Sequence, residues 1–437
     1  MFRKSRAILA LALVLLLCFG GSISVLANLN SDGALIGSES EPVAAVITKH
    51  LRMPVETAMR DFNFEFEAKK LNLDGNSSEE ALEDMPDLNN LIIRFSSEDP
   101  EGNVPDSITN NIMSFKMESG NIFEDVVFPH PGIFEYEIRE LSGTNGILDT
   151  NAPHDVLTYS PAVYKLTVFV ESREDGSTFV VALGTRVVVQ DNASQSPGSK
   201  VDPTPGGDGE HYFFGQMVFT NDYVRTNGAV DPENPNPVTE STLYVSKQVA
   251  GDFANADQYF DFSMTLTIPS LVIDPPTYYR AYIVEDGRVI DPSNNADETL
   301  IGSDAEGGLQ YIRISTSGAT AFSLRDGQRL VFVNTPVGTS YEVTEAGAVN
   351  YTASVRVTTS GVAVELPRGE MSESLSTGTQ FVGELANSAA FTNTRDSVTP
   401  TGLNLNNLPF IGLIALAIGT LITFIVVKSR KSRQYDQ

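Results

Sequence analysis

A lysine, a glutamate and an asparagine recur in the same order in two halves of the sequence. They are Lys49, Glu140 and Asn221 in the first half, and Lys247, Glu345 and Asn393 in the second. Burial lowers the pKa of an amine and raises that of a carboxyl group, so such a trio can hold a neutral nucleophile beside a neutral acid. Attack of the amine on the asparagine carbonyl would release ammonia and leave an amide between the two side chains. The residue types therefore predict a self-made Lys–Asn crosslink, provided that the fold buries them together.

The motifs around these residues repeat as well. In each copy the lysine stands fifteen positions before the second phenylalanine of a Phe-x-Phe motif, and a Tyr-Glu-apolar-x-Glu motif and a closing Phe-Thr-Asn follow. The paired segments are 47–49 with 245–247, 62–64 with 260–262, 136–140 with 341–345, and 219–221 with 391–393. Such a repeat predicts two domains of one fold. Of the two linker-like stretches, 191–210 and 225–240, the second must be the boundary, because the first copy closes only at Asn221.

Alternation along β-strands predicts which way these side chains point. Lys247 shares a face with Leu243 and Val245, and by the same count Glu345 and Asn393 point inward. Asp261 is an alternative acid for the second copy, but its place between two phenylalanines turns it outward. In the first copy, Glu140 goes with Tyr136 and Ile138, and Asn221 with Phe219 and Tyr223. Lys49 goes with Ala45, Ile47 and Leu51, although Ala44 and Val46 make that strand apolar on both faces and so weaken the alternation signal.

The competing interpretation of each trio is a partly buried Lys–Glu ion pair, with the asparagine bonded to a turn. Lysine and glutamate are seldom buried without a partner, so either interpretation requires the two residues to meet.

The region between the two chain ends is predicted to be all-β. Segments such as 164–170 and 351–357 are rich in β-branched and aromatic residues, and clusters of Asn, Asp, Gly and Pro separate them. A helical pattern is scarce. Its best candidate is 77–85, where Ser77 and Glu80 could form a capping box before Pro86 ends the helix.

The two ends predict export and a membrane anchor. Residues 1–27 have the basic start, apolar run and small-residue site of a signal peptide, which would remove Cys18, the single cysteine. Residues 408–427 form an uncharged, mostly apolar stretch long enough to span a bilayer, and the basic tail 428–437 would stay in the cytoplasm. The rest lies outside the cell. Without the three basic residues of the leader, and the four basic and one acidic residues after Thr401, the exported part has 22 basic and 55 acidic residues.

A short motif precedes the apolar stretch, with the residues Val398, Thr399, Pro400, Thr401 and Gly402. Its order of Pro, Thr, Gly, apolar helix and basic tail resembles the sorting signal of Gram-positive surface proteins. That resemblance implies cleavage by a sortase after Thr401, which would be joined to the cell wall or to a pilin lysine. The motif departs from the usual pattern, since Thr399 stands where proline is expected. The alternative is a plain type I membrane protein with a turn before its helix.

The repeated motifs resemble the intramolecular isopeptide domains of Gram-positive pilins and adhesins. Residues 42–224 resemble the streptococcal pilin isopeptide linkage family, and 241–396 resemble the collagen-adhesin B-type modules. The resemblance implies two tandem immunoglobulin-like β-sandwich domains joined by the linker 225–240. It also implies a Lys49–Asn221 and a Lys247–Asn393 bond, with Glu140 and Glu345 as the respective acid and base.

The resemblance implies a pilus subunit or wall-anchored adhesin, whose partners are a sortase, peptidoglycan or other pilin subunits, and for an adhesin a host or matrix ligand. Its only reaction would be single-turnover self-crosslinking, without cofactor or metal. With a pI near 4.4 the chain has no basic surface for nucleic acid. The alternative from a different class is a membrane-anchored extracellular receptor or enzyme without covalent wall attachment.

Overall fold

The computed structural model of the chain describes eight stretches: residues 36–100, 102–145, 154–191, 196–205, 215–227, 242–304, 308–396 and 408–432. Before residue 397 these stretches are built of strands and turns, with one five-residue helix and two short 3-10 turns at Pro292–Asn294 and Glu298–Leu300. The prediction of an all-β protein with two sandwich domains and a C-terminal apolar helix is confirmed. The leader 1–27 and the motif 398–402 lie outside the described residues.

The first domain is a sandwich of two sheets. Its elements are β1 (Thr48–Pro54), β2 (Phe62–Leu73), α1 (Glu79–Glu83), β3 (Ile92–Phe95), β4 (Ser107–Thr109), β5 (Ile112–Glu118), β6 (Gly132–Glu140), β7 (His154–Thr158), β8 (Val163–Ser172), β9 (Thr178–Val189), β10 (Lys200–Val201) and β11 (Val218–Asn227). One sheet has the order β4-β5-β1-β11-β7, and the other β10-β9-β8-β6-β2-β3. A single apolar core lies between the two sheets.

The second domain repeats this architecture with a larger sheet. Its strands are β12 (Leu243–Ala250), β13 (Phe260–Thr267), β14 (Tyr278–Glu285), β15 (Arg288–Val289), β16 (Ile301–Ser303), β17 (Gln310–Ser315), β18 (Thr320–Leu324), β19 (Arg329–Phe332), β20 (Thr335–Pro336), β21 (Ser340–Glu345), β22 (Thr352–Thr359), β23 (Val362–Glu365), β24 (Leu375–Ser376), β25 (Gln380–Phe381) and β26 (Asn387–Thr394). The larger sheet runs β16-β17-β14-β19-β12-β26-β22-β23, with β15 on β14. The smaller one runs β18-β13-β21-β24, with β25 also on β21.

In both domains the first strand lies parallel to the last and is hydrogen-bonded to it. Lys49 of β1 is paired with Phe219 of β11, which places Asn221 two positions further along the same face. The pairing of β12 with β26 has the same offset, with Lys247 opposite Phe391 and Asn393 two positions on. Because alternate residues share a face, the lysine and the asparagine both project into the sandwich.

The glutamates come from the facing sheet. Glu140 ends β6, where it is paired with Phe66 of β2, and Glu345 ends β21, where it is paired with Phe262 of β13. Phe66 is therefore the counterpart of Phe262. The sequence pairing of segment 62–64 with 260–262 was therefore wrong by two residues. Phenylalanines stand at 62, 64 and 66, so the Phe-x-Phe motif fits the first domain in two positions.

Helix α1 is an insertion on the β scaffold, as the sequence predicts, but its start differs. The N-cap is Ser78, whose hydroxyl accepts a hydrogen bond from the Ala81 backbone N–H at 3.3 Å. The expected cap, Ser77, is one position too early. Two adjacent serines both offer a capping hydroxyl, and the sequence pattern does not choose between them.

The two domains are joined at a polar junction beside the strand pair β11–β20. Glu384 of the second domain accepts a hydrogen bond from the Ala58 backbone N–H at 3.0 Å. The same carboxylate lies 3.4 Å from Arg60 and 3.9 Å from Arg225 of the first domain. The C-terminal end of β11 thus contacts the second domain.

Gly338 of the second domain lies close against Pro54 and Val55 of the first. It has φ +80°, and an added Cβ would lie 2.3 Å from Cβ of Pro54. We expect Gly338→Ala to lower the free energy of unfolding by about 2–5 kcal/mol, the sum of left-handed strain and overpacking. Gly287→Ala is the control, since Gly287 has φ +74° with nothing within 4 Å of its added Cβ, and should show only the strain. Equal losses in urea unfolding would contradict this account of the junction.

Helix α2 (Leu408–Ser432) follows the domains. Its segment Phe410–Lys428 has a mean hydropathy of 2.7 and is unburied in the chain, so it is long and apolar enough to cross a membrane.

Candidate functional site

The first domain brings Lys49, Glu140 and Asn221 together in its core. The Lys49 Nζ and Asn221 Nδ2 atoms both donate to Oε1 of Glu140, each at 2.8 Å. The side chains of Lys49 and Glu140 are 0% exposed. One carboxylate oxygen therefore bridges the amine and the amide nitrogen.

The second domain repeats this arrangement. Lys247 Nζ and Asn393 Nδ2 each donate to Oε1 of Glu345 at 2.6 Å. The trio is again buried. Asp261, the alternative acid, is exposed on the outer face and accepts a hydrogen bond from the Ser323 hydroxyl.

Each lysine amine lies against aromatic rings. Lys49 Nζ is 4.5 Å from the centre of the Phe64 ring, and Lys247 Nζ is 4.2 Å from that of Phe260. Desolvation lowers the pKa of both lysines to about 8, against the opposing attraction of the glutamate partners. Each amine thus reaches its neutral, nucleophilic form far more readily than a surface lysine does.

Desolvation also raises the pKa of Glu140 and of Glu345, although the neighbouring lysine acts in the opposite sense. Burial therefore lowers the cost of moving a proton from the amine to the carboxylate within each pair, because it disfavours both charges. The carboxylate oxygen between amine and amide is placed to carry a proton from one nitrogen to the other.

A further group at the first site is the backbone N–H of Ser160, between β7 and β8. It donates to Oδ1 of Asn221 at 2.7 Å and is 3.3 Å from Oε2 of Glu140. Sequence reasoning missed this donor. A backbone N–H is present at every residue except proline, so no sequence signal marks it.

The lowered pKa of Lys49 predicts a pH dependence for a variant that keeps the amine and carboxyl unjoined. Asn221→Ala is expected to gain stability as the pH rises from about 8 towards 10.5, because the folded state resists protonation of Lys49. The gain over that whole window is at most about 3 kcal/mol. The raised pKa of Glu140 acts oppositely at acidic pH, where stability falls as the pH rises above 4.5.

Urea unfolding at a series of pH values measures this effect. The control is the double variant Lys49→Met, Asn221→Ala, which lacks the amine. Parallel pH profiles for the two variants above pH 8 would show that Lys49 is not responsible.

Comparison with known proteins assigns the two domains to separate families. Residues 45–224, which comprise the first domain, match the family described as the Spy0128-like isopeptide containing domain. Residues 241–395 match a domain of unknown function (DUF7601). The resemblance of the second domain to collagen-adhesin B-type modules stays a prediction.

The chain is homologous to streptococcal pilus proteins. It is 26% identical to a pilin of Streptococcus pyogenes serotype M1 over 198 residues, which are 44% of this chain and 51% of the pilin. It is 27% identical to the pilus tip adhesin Cpa of Streptococcus pyogenes over 193 residues, 43% of this chain and 22% of the adhesin. The alignments thus span about half of the pilin and less of the adhesin. A crystal structure of the major pilin from Streptococcus pyogenes matches over 82% of this chain and 100% of its own, at 17% identity and a TM-score of 0.30.

Proposed function

We propose that the chain is a pilin-type surface protein of a Gram-positive bacterium that stabilises itself by one Lys–Asn amide bond in each domain. The observation that carries the proposal is the bridging carboxylate oxygen, which lies within 2.8 Å of both the amine and the amide nitrogen at both sites. The homology of the first domain to isopeptide-containing domains supports it.

The proposed reaction follows from this geometry. The neutral lysine Nζ attacks Cγ of the asparagine, and the new C–N bond gives a tetrahedral intermediate with negative charge on Oδ1. The protonated glutamate gives a proton to Nδ2 and takes one from Nζ, so its own protonation state is restored. The Cγ–Nδ2 bond then breaks and ammonia leaves, so the reaction needs no external reagent.

Intact-mass measurement of the purified exported region, residues 28–407, tests the crosslinks. The expected mass is lower than that of the sequence by two molecules of ammonia. Digestion should yield the branched peptides that join Lys49 to Asn221 and Lys247 to Asn393. An unmodified mass would leave only two buried ion pairs and would refute the proposed reaction.

We further propose that a sortase cleaves after Thr401 and joins the chain to peptidoglycan or to another pilin subunit. The motif 398–402, the apolar span 410–428 and the basic residues after it support this assignment. Thr401→Ala should abolish the wall-linked form in cell-wall extracts. A ladder of covalent multimers lost in this variant would identify a pilus subunit, and one wall-linked species an adhesin displayed alone. A wild-type chain that detergent extracts intact would instead favour the membrane-anchored receptor or enzyme.

A further inference from the structure

The two sites differ in one respect that bears on their chemistry. In the first domain, Oδ1 of Asn221 and Oε2 of Glu140 both face the Ser160 N–H. In the second domain, the corresponding atoms are Oδ1 of Asn393 and Oε2 of Glu345. Both are buried without a hydrogen-bond partner among the residues that the structure describes. At the first site one backbone N–H thus serves both the asparagine Oδ1 and the glutamate Oε2. At the second site no described residue donates to either of these atoms.

We propose that the Ser160 N–H is the oxyanion donor for the Lys49–Asn221 crosslink, and that the Lys247–Asn393 crosslink forms more slowly because no described residue supplies such a donor there. This inference rests on the proposed function. When Lys49 Nζ bonds to Cγ, the electron pair of the carbonyl moves to Oδ1, the atom that already accepts the Ser160 N–H at 2.7 Å. A fixed donor at this atom stabilises the charge without reorganisation as it develops.

The same donor also fixes which end of the Asn221 amide faces the glutamate. Rotation of the amide by half a turn would set its NH₂ group against the Ser160 N–H, two donors facing each other. Asn221 must therefore present Nδ2, the leaving group, to Glu140. In the second domain, Glu345 alone orients the Asn393 amide within the described residues.

Ser160 is held in place by a buried carboxylate. Asp191 accepts hydrogen bonds from the Ser160 hydroxyl and, at 3.0 Å, from the Thr220 backbone N–H next to Asn221. The Ser160 hydroxyl in turn accepts from the Ala162 N–H at 3.2 Å. Asp191 is thus a positioning residue, because it ties the Ser160 turn to the strand that carries Asn221.

The first test is a time course in the unaltered full chain. The chain is made by cell-free translation in the presence of detergent, and samples taken after synthesis stops are quenched in acid and digested. Mass spectrometry then measures the crosslinked fraction at each site. We expect the Lys49–Asn221 bond to form about 10²-fold faster than the Lys247–Asn393 bond. Equal rates, or a faster second site, would overturn this inference and leave the proposed function intact, whereas no crosslink at either site would refute the proposed reaction itself.

The second test removes the single N–H. Cell-free translation can place the α-hydroxy analogue of alanine at position 160, so that an ester oxygen replaces the nitrogen. The matched reference is Ser160→Ala, which has the same side chain and keeps the N–H. We expect the ester to slow the first crosslink about 10²-fold relative to Ser160→Ala. The second crosslink in the same molecules is the internal standard and should not change. An ester that reacts as fast as Ser160→Ala would show that the N–H plays no part.

Discussion

Replacing Glu140 or Glu345 by glutamine is expected to leave the crosslink of that domain almost unformed. Glutamine keeps the size of the side chain and can still accept a hydrogen bond, but it cannot take a proton from the amine and deliver it to the leaving nitrogen. Loss of a positioned acid and base slows such steps about 10²- to 10⁴-fold. The altered domain should then lose no ammonia, while the other domain should crosslink and lose one.

Asp261→Asn is the matched control for Glu345→Gln. Asp261 is an acid next to the phenylalanine that packs at the second site, but it lies exposed on the outer face of β13. Its replacement should leave the Lys247–Asn393 bond intact. If Asp261→Asn prevented that bond and Glu345→Gln did not, the assignment of the acid would be wrong. Intact-mass measurement of the three proteins, followed by peptide mapping, gives the answer.

Replacing Lys49 or Lys247 by methionine is expected to lower the stability of the domain that carries it. Lys49→Met and Lys247→Met each remove the nucleophile and put an apolar chain of similar length in its place. The proposed crosslinks would join residues 172 and 146 positions apart, as given by 221 minus 49 and 393 minus 247. By the chain-entropy model used for disulfides, closing loops this long stabilises a domain by up to about 5 kcal/mol. Each variant should therefore unfold at a clearly lower temperature and denaturant concentration and be cleaved sooner by proteases.

Lys165→Met is the control for these variants. Lys165 forms an ion pair with Glu135 at 2.8 Å on the surface, where its side chain is 40% exposed. Such pairs contribute at most about 1 kcal/mol. Thermal and urea unfolding of all three variants should separate the two classes. Wild-type midpoints for both Lys49→Met and Lys247→Met would mean that no crosslink stabilises either domain.

Alternation along strands predicted most of the site. Leu243 and Val245 set an inward face that continues to Lys247, and the structure has all three buried. The face of Lys49, shared with Ile47 and Leu51, was predicted from a weaker alternation. The reason is that Ala45, Val46 and Ile47 precede β1 and are all buried, so apolar residues there do not alternate.

Other features carried no signal in the sequence. The Ser160 donor is a backbone group, and its position depends on how the turn between β7 and β8 packs against Asp191. The contact between Arg60 and Glu384 joins residues 324 positions apart. Both charges look like ordinary surface residues in the sequence. Contacts of this kind follow from how whole sheets and domains dock, which local pattern does not encode.

The parallel pairing of first and last strands has a mechanical consequence. A pull on the two ends of a domain enters through β1 or β12 and leaves through β11 or β26. With the crosslinks in place, the tension would pass directly from lysine to asparagine and bypass residues 50–220 and 248–392. At about 3.3–3.6 Å per residue, those segments hold roughly 600 Å and 500 Å of chain that could never be drawn out. A fibre built from such units would keep its length under flow until a covalent bond broke.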